Sequence, residues 1–94
     1  MSYRLKFLPV ALKEWKKLDS SIQKQFKKKL TEVLGNPKVS ANRLRKFDNH
    51  YKIKLRASGH RLVYEVIDDE IVVLVIAIGK RDGNKIYKIA KNRS

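Results

Sequence analysis

The chain has 94 residues, 43% of them hydrophobic, with no cysteine and with 23 Lys and Arg against nine Asp and Glu, a formal net charge of +14. That length holds one domain, the apolar share is too high for a disordered basic tail, and without cysteine neither a disulfide framework nor a thiolate metal site is available. A charge excess of this size repels itself and points to a polyanionic partner, nucleic acid before a membrane surface.

Tyr3, Leu5 and Phe7 alternate with Arg4 and Lys6, which predicts a half-buried strand over residues 3–8. This N-terminus lacks the apolar run of a signal peptide, and the longest apolar run, Ile71 to Ile78, is too short to span a bilayer. A cytoplasmic location without a membrane partner is therefore expected. Pro9 suits the first turn of a helix, and Ala11, Leu12, Trp15 and Leu18 recur on one helical face that ends near Leu18. Asp19 and Ser20 offer N-caps, and Ser20 with Gln23 has the capping-box pattern. Ile22, Phe26, Leu30, Val33 and Leu34 then predict a helix over 21–34, stopped by Gly35 and Pro37. The two helices read as an antiparallel hairpin with Lys-rich outer faces (Lys13, Lys16, Lys17; Lys24, Lys27, Lys28). Such faces are either solvated surface or a nucleic-acid contact, and the pattern does not separate the two.

Residues 35–50 form a long irregular connection that holds Arg43, Arg45 and Lys46 and is pinned by Leu44 and Phe47; loops of this length in a small domain tend to be functional. An antiparallel meander follows. Tyr51, Ile53 and Leu55 alternate with Lys52 and Lys54, Arg56 to Gly59 makes a turn, His60 to Ile67 is the next strand, and Asp68-Asp69 turns into the central strand Ile71 to Ile78. Gly79 breaks that pattern, and residues 84–92, with Ile86, Ile89 and Ala90, predict a short C-terminal helix. The fold class is α+β: a four-stranded, antiparallel-rich sheet with the helical hairpin on one face, in a single domain over 1–94.

Side chains alternate along a strand, so hairpin register decides which bases share a face. Pairing Leu55 with His60 across the four-residue turn sets Ile53 opposite Leu62 and Tyr51 opposite Tyr64, with all the large apolar groups together. Lys54 then faces Arg61, and Lys52 faces Val63, so three positive groups converge on the other face. Like charges directly across strands are destabilising, and nothing local offsets them, which marks the face as a candidate site; the alternative, that the lysines guard an exposed edge strand, covers Lys52 and Lys54 but accounts less well for Arg61. The charge distribution agrees: Glu65, Asp68, Asp69 and Glu70 fall in one six-residue stretch without a base, and the other 88 residues set 23 bases against five acids, a net +18.

The chemistry open to such a face is narrow. His50 and His60 lack metal-ligand spacing; His60 falls on the core side of the hairpin, and His50 reads as a loop residue. There is no phosphate-binding glycine loop and no Ser/His/Asp arrangement. RNA, however, carries its own nucleophile, the 2′-OH. Cleavage then needs orientation of that hydroxyl, removal of its proton and stabilisation of charge on phosphorus, and a Lys/Arg cluster does the last. Basic neighbours also favour a phenolate, and Tyr87, beyond Lys80 and Arg81 and beside Lys85 and Lys88, is the tyrosine with such a neighbourhood. By itself it is equally a core anchor for the last helix.

The run Tyr51-Lys52-Ile53-Lys54-Leu55-Arg56, then Ser58-Gly59, Arg61-Leu62-Val63-Tyr64 and Gly79-Lys80-Arg81 followed by Tyr87, resembles the RelE family of bacterial toxin–antitoxin toxins. Ala11 to Leu18 and Ala41-Asn42-Arg43-Leu44 are similar to that family too, whereas Asp82-Gly83-Asn84 departs from its pattern. The resemblance covers the whole chain and is to RelE within the superfamily that also holds the ParE gyrase inhibitors. It implies a ribosome-dependent endoribonuclease that cleaves mRNA in the A site and leaves a 2′,3′-cyclic phosphate, with no cofactor or metal. By the same resemblance Lys52, Lys54, Arg61, Arg81 and Tyr87 form the active site: Tyr87 as general base, Arg61 on the phosphate, Arg81 at the leaving group, Lys52 and Lys54 supplying positive potential. Arg45, Lys46, Arg56 and Lys80 would bind mRNA or rRNA. A RelB-type antitoxin, and operator DNA through the antitoxin complex, are the further partners implied. A ParE-like gyrase inhibitor and a non-catalytic RNA-binding protein are the alternatives.

Overall fold

The computed structural model describes residues 2–80 and 85–93. In chain order it has β1 (Arg4–Phe7), α1 (Pro9–Lys16), α2 (Ser20–Gly35), a 3₁₀ turn (Ser40–Asn42), β2 (His50–Leu55), β3 (His60–Ile67), a second 3₁₀ turn (Asp68–Glu70), β4 (Val72–Lys80) and α3 (Lys85–Arg93). The four strands form one sheet in the order β1-β4-β3-β2, with β1 parallel to β4 and the other pairs antiparallel. β4, the continuous apolar run, is central because both of its faces are covered.

The two faces carry separate cores. On one, Phe26 and Leu30 of α2 and Ala11 of α1 bury Ile53, Leu62, Tyr64 and Val75. Trp15 extends that core towards the rim, its ring 5.5 Å from Phe7 and 6.2 Å from Phe26. On the other face α3 lays Ile86 and Ala90 over Val63, Ile76 and Ala77, and the connection before β2 adds Leu44 and Phe47. A bulge makes this second packing possible: Val63 pairs with Ala77 and Tyr64 with Val75, so Ile76 is one extra residue in β4.

Four sequence expectations are corrected. Ser20 and Gln23 form no capping box: neither Asp19 nor Ser20 caps α2 through its side chain, and Gln23 Nε2 instead donates to Trp15 O at 2.9 Å, tying α2 back to α1. Gly79 does not end its strand; it pairs with Arg61, and Lys80 pairs with His60. A Cβ on Gly79 would lie 3.4 Å from Ile86 Cδ1, an ordinary contact, so α3 packs over Gly79 without depending on the missing side chain. Ile71 is not the first residue of β4 but the left-handed residue that ends the turn before it, with φ 55°. His50 is not in a loop: it opens β2, is buried, donates from Nδ1 to Asp48 O at 2.6 Å and packs 5.0 Å from the Phe47 ring.

Candidate active site

The β2–β3 hairpin has the register that the apolar pattern selects. Leu55 pairs with His60, Lys54 with Arg61, Ile53 with Leu62, Lys52 with Val63 and Tyr51 with Tyr64. The turn is closed by Gly59, at φ 75°, whose N–H donates to Leu55 O at 2.9 Å. Ser58 Oγ accepts from His60 N at 3.3 Å. Tyr51 and Tyr64 stack on the core side with centroids 5.6 Å apart, and the Tyr64 hydroxyl donates to Pro37 O at 2.8 Å. Burial pushes the Tyr64 phenol above its ordinary range, with nearby Tyr51 adding to the effect, so it is a structural donor rather than an acid–base group.

Lys52, Lys54 and Arg61 therefore stand on the face that α3 covers only in part. α3 crosses this face at β4 and β3 and sets Tyr87 at its edge. Arg61 Nη1 donates to the Tyr87 hydroxyl oxygen at 2.9 Å, and the guanidinium carbon lies 5.6 Å from the Tyr87 ring centre. Both side chains are half-buried, which fixes their geometry while keeping one side open to solvent. A guanidinium has five N–H donors in a rigid fork. One is used on Tyr87, and the fork can turn others towards a phosphate placed over Lys54 and Lys52. Tyr87 thus anchors the last helix and also carries a polar atom into the basic cluster.

The remaining candidates surround this pair. Arg45 and Lys46, exposed, share a cleft of about 410 Å³ with Leu44, Phe47, Tyr87, Lys88 and Lys91. Arg56 borders a smaller hollow with Lys54, His60 and Arg61 at the hairpin end, where Lys80 lies opposite His60. Arg81 lies outside the described residues, as does the Asp82-Gly83-Asn84 departure. A cleft of about 450 Å³ between α2 and β2 reaches Lys54 and Arg56 but neither Arg61 nor Tyr87, so the smaller cleft beside Tyr87 is the one that meets the chemistry. Sequence reasoning missed Lys88 and Lys91 as lining residues of this cleft; their signal was the spacing of Tyr87, Lys88 and Lys91 along one predicted helix. Among the described residues no group of three or more His, Cys, Asp or Glu lies together to hold a metal ion.

Comparison with known proteins places this geometry in a family. A family model described as "ParE toxin of type II toxin-antitoxin system, parDE" matches residues 5–84. The mRNA interferase toxin RelE of Escherichia coli K12 is 54% identical over 93 residues, 99% of this chain and 98% of that protein, and mRNA interferase RelE of Shigella flexneri is 54% identical over the same share. A free-state structure of a mutant E. coli RelE superposes with a TM-score of 0.92 at 53% identity, covering 99% of this chain and 98% of that one. The toxin of the intact E. coli RelBE toxin–antitoxin complex matches with a TM-score of 0.84 at 56% identity, over 86% of this chain and 99% of that one. With a family match along most of its length and RelE relatives over half identical from end to end, the chain belongs to the RelE toxins of type II toxin–antitoxin systems.

Proposed function

We propose that the protein is an endoribonuclease that cuts mRNA in the ribosomal A site and so stops translation, and that a RelB-type antitoxin neutralises it. The observation that carries this reading is the 2.9 Å contact between Arg61 and Tyr87, set against Lys54 across the hairpin. Groups of two chemical kinds meet there: cations that can hold a phosphate, with Lys52 farther along the same face, and a tyrosine oxygen that as the phenolate can take a proton.

The reaction follows from those groups. A phosphate held by Lys52, Lys54 and Arg61 brings the neighbouring ribose 2′-OH to Tyr87, which acts as the phenolate and takes that proton, becoming the neutral phenol, as the O2′–P bond forms. Arg61 and the lysines stabilise the negative charge that gathers on the phosphorane oxygens. The P–O5′ bond then breaks, the 5′-oxygen takes up a proton as the new 5′-OH, and the 2′,3′-cyclic phosphate stays on the upstream fragment. Arg81 is assigned to the leaving oxygen on the strength of the resemblance; a guanidinium, which holds its proton too firmly to give it up, serves there by charge rather than as an acid. Arg45, Lys46, Arg56 and Lys80, ranged around the pair, supply phosphate contacts to mRNA and rRNA. The antitoxin complex would in turn bind operator DNA.

Primer extension on mRNA held in ribosomes with an empty A site tests this. Wild type should cut within the A-site codon, and Tyr87→Phe or Arg61→Ala should slow the cut by about 10²- to 10⁴-fold. An intact message with wild type, together with trapped DNA breaks in a gyrase supercoiling assay, would move the protein to the ParE activity. Cleavage unchanged by Tyr87→Phe would remove the proton-transfer role.

A further inference from the structure

The site depends on α3 lying where it does, and α3 is poorly equipped to stay there alone. It has nine residues, too few for a stable isolated helix, and only Ile86 and Ala90 are fully buried. Lys85, Lys88, Lys91 and Arg93 make it strongly cationic on an already cationic protein.

A third anchor sits at its far end. Ile86, Ala90 and Arg93 follow at spacings of four and three, so all share the face turned to the sheet. Arg93 Nη1 donates to Glu14 Oε1 at 2.8 Å, and Nη2 donates to Glu14 Oε2 at 3.1 Å, the forked pairing that fixes both groups in orientation. Glu14 belongs to α1, whose Ala11 packs in the core on the other face of the sheet. Both partners also grip the strand between them: Arg93 Nη1 donates to Ile76 O at 2.9 Å, and Ile78 N donates to Glu14 Oε1 at 3.1 Å. Ile76 is the bulge residue, and β1 stops pairing at Val75, so no strand meets β4 on that side beyond this point. Glu14 and Arg93 satisfy backbone groups that a longer β1 would otherwise take.

We propose that Glu14 and Arg93 are positioning residues: together they clamp α3 to the β4 bulge and thereby hold the Tyr87 oxygen at Arg61. This rests on the endoribonuclease reading for its catalytic consequence, but not for its structural one. Neither residue approaches the substrate face; both act through Tyr87.

Amide hydrogen exchange on the full chain reads the structural half. Glu14→Gln and Arg93→Gln should each raise exchange across residues 85–93 by about tenfold, the cost of losing hydrogen bonds to a charged partner, while α2 amides keep their protection. Arg93→Lys, which keeps the charge but not the fork, should fall between. Equal protection of α3 in wild type and both variants would overturn the clamp; loss of protection in α2 as well would show general unfolding and overturn a local role. Single-turnover cleavage at saturating ribosomes reads the other half. Glu14→Gln should slow the chemical step about ten- to a hundredfold with unchanged ribosome affinity, as displacement of a reacting group does. In a Tyr87→Phe background the same substitution should add nothing, and an equal loss in both backgrounds would show that the clamp does not act through Tyr87. If wild type itself fails to cleave, the enzymatic reading falls, and the exchange arm still decides the clamp.

Discussion

Arg61 and Tyr87 are 26 positions apart and meet because a hairpin register and a short helix bring them to the same edge. The first of these is legible in sequence: the alternation Tyr51, Ile53, Leu55 against Leu62 and Tyr64 allows one register that keeps the core whole, and Lys54 opposite Arg61 follows. The second is not, because the spacing of Ile86, Ile89 and Ala90 makes an apolar helix face without stating which sheet face it covers; the bulge at Ile76 and the Arg93–Glu14 pairing, which carry no periodic signal, go with that choice. Tyr64 illustrates how firmly the hairpin is held. Tyr64→Phe leaves the buried Pro37 carbonyl without its donor and should lower stability by about 1–3 kcal/mol, read from urea denaturation midpoints at constant slope. His60 adds a pH dependence. Among the described residues its Nδ1 is buried without a partner, and desolvation, aided by nearby Lys80, lowers its pKa from 6.5. The unfolded chain then binds the extra proton first as pH falls, so stability is full above about 6.5 and declines as pH drops from there towards the lowered folded value. His60→Phe should flatten that decline in thermal melts between pH 7 and 5, whereas an unchanged slope would assign it to another group.

Among the elements, strands and helices were readable to within a few residues, since each carries a clear period of 2 or 3.6. The errors sit where tertiary context overrules local chemistry. Gln23 gives up the capping box for Trp15 O, and His50 is drawn into β2 by Phe47 and by its contact with Asp48. Ile71 is the sharpest conflict. A β-branched residue with φ 55° is strained, yet it is 41% exposed and its carbonyl accepts from Arg4 N at 2.9 Å, so β1 docks on the backbone of the strained residue. Ile71→Gly keeps that carbonyl, removes the strain and should stabilise the fold by about 1 kcal/mol, visible as a rise in Tm. A fall in Tm would mean that the Ile71 side chain contributes more contact than its exposure indicates.

At the scale of the molecule the two cores divide the labour. The α1/α2 side holds the larger core, and the α3 side a smaller one with a cluster of bases at its rim, where the proposed chemistry sits. The charge is polarised along β3: Arg61 marks the basic end, and the acidic stretch starts at Glu65, about 13 Å on at about 3.3 Å per residue, and continues past the strand's end at Ile67. That acidic end is tied together by Asp68, which accepts from Lys38 and from the Tyr3 hydroxyl and whose carboxyl is held below its ordinary range by those two bonds. On the proposed reading, the phosphate to be cut should be held at the basic end, away from these acids. Raising salt should weaken ribosome binding steeply, linearly on logarithmic axes, while the cleavage rate of the bound complex changes little. In the proposed reaction the protein supplies cations and a tyrosine and the RNA supplies the nucleophile. Single-turnover cleavage of a ribosome-bound message with one 2′-deoxy nucleotide at the cut site tests it most directly. Wild-type protein should fail to cut at that position while cutting the all-ribose message, and equal cleavage of the two would contradict the account.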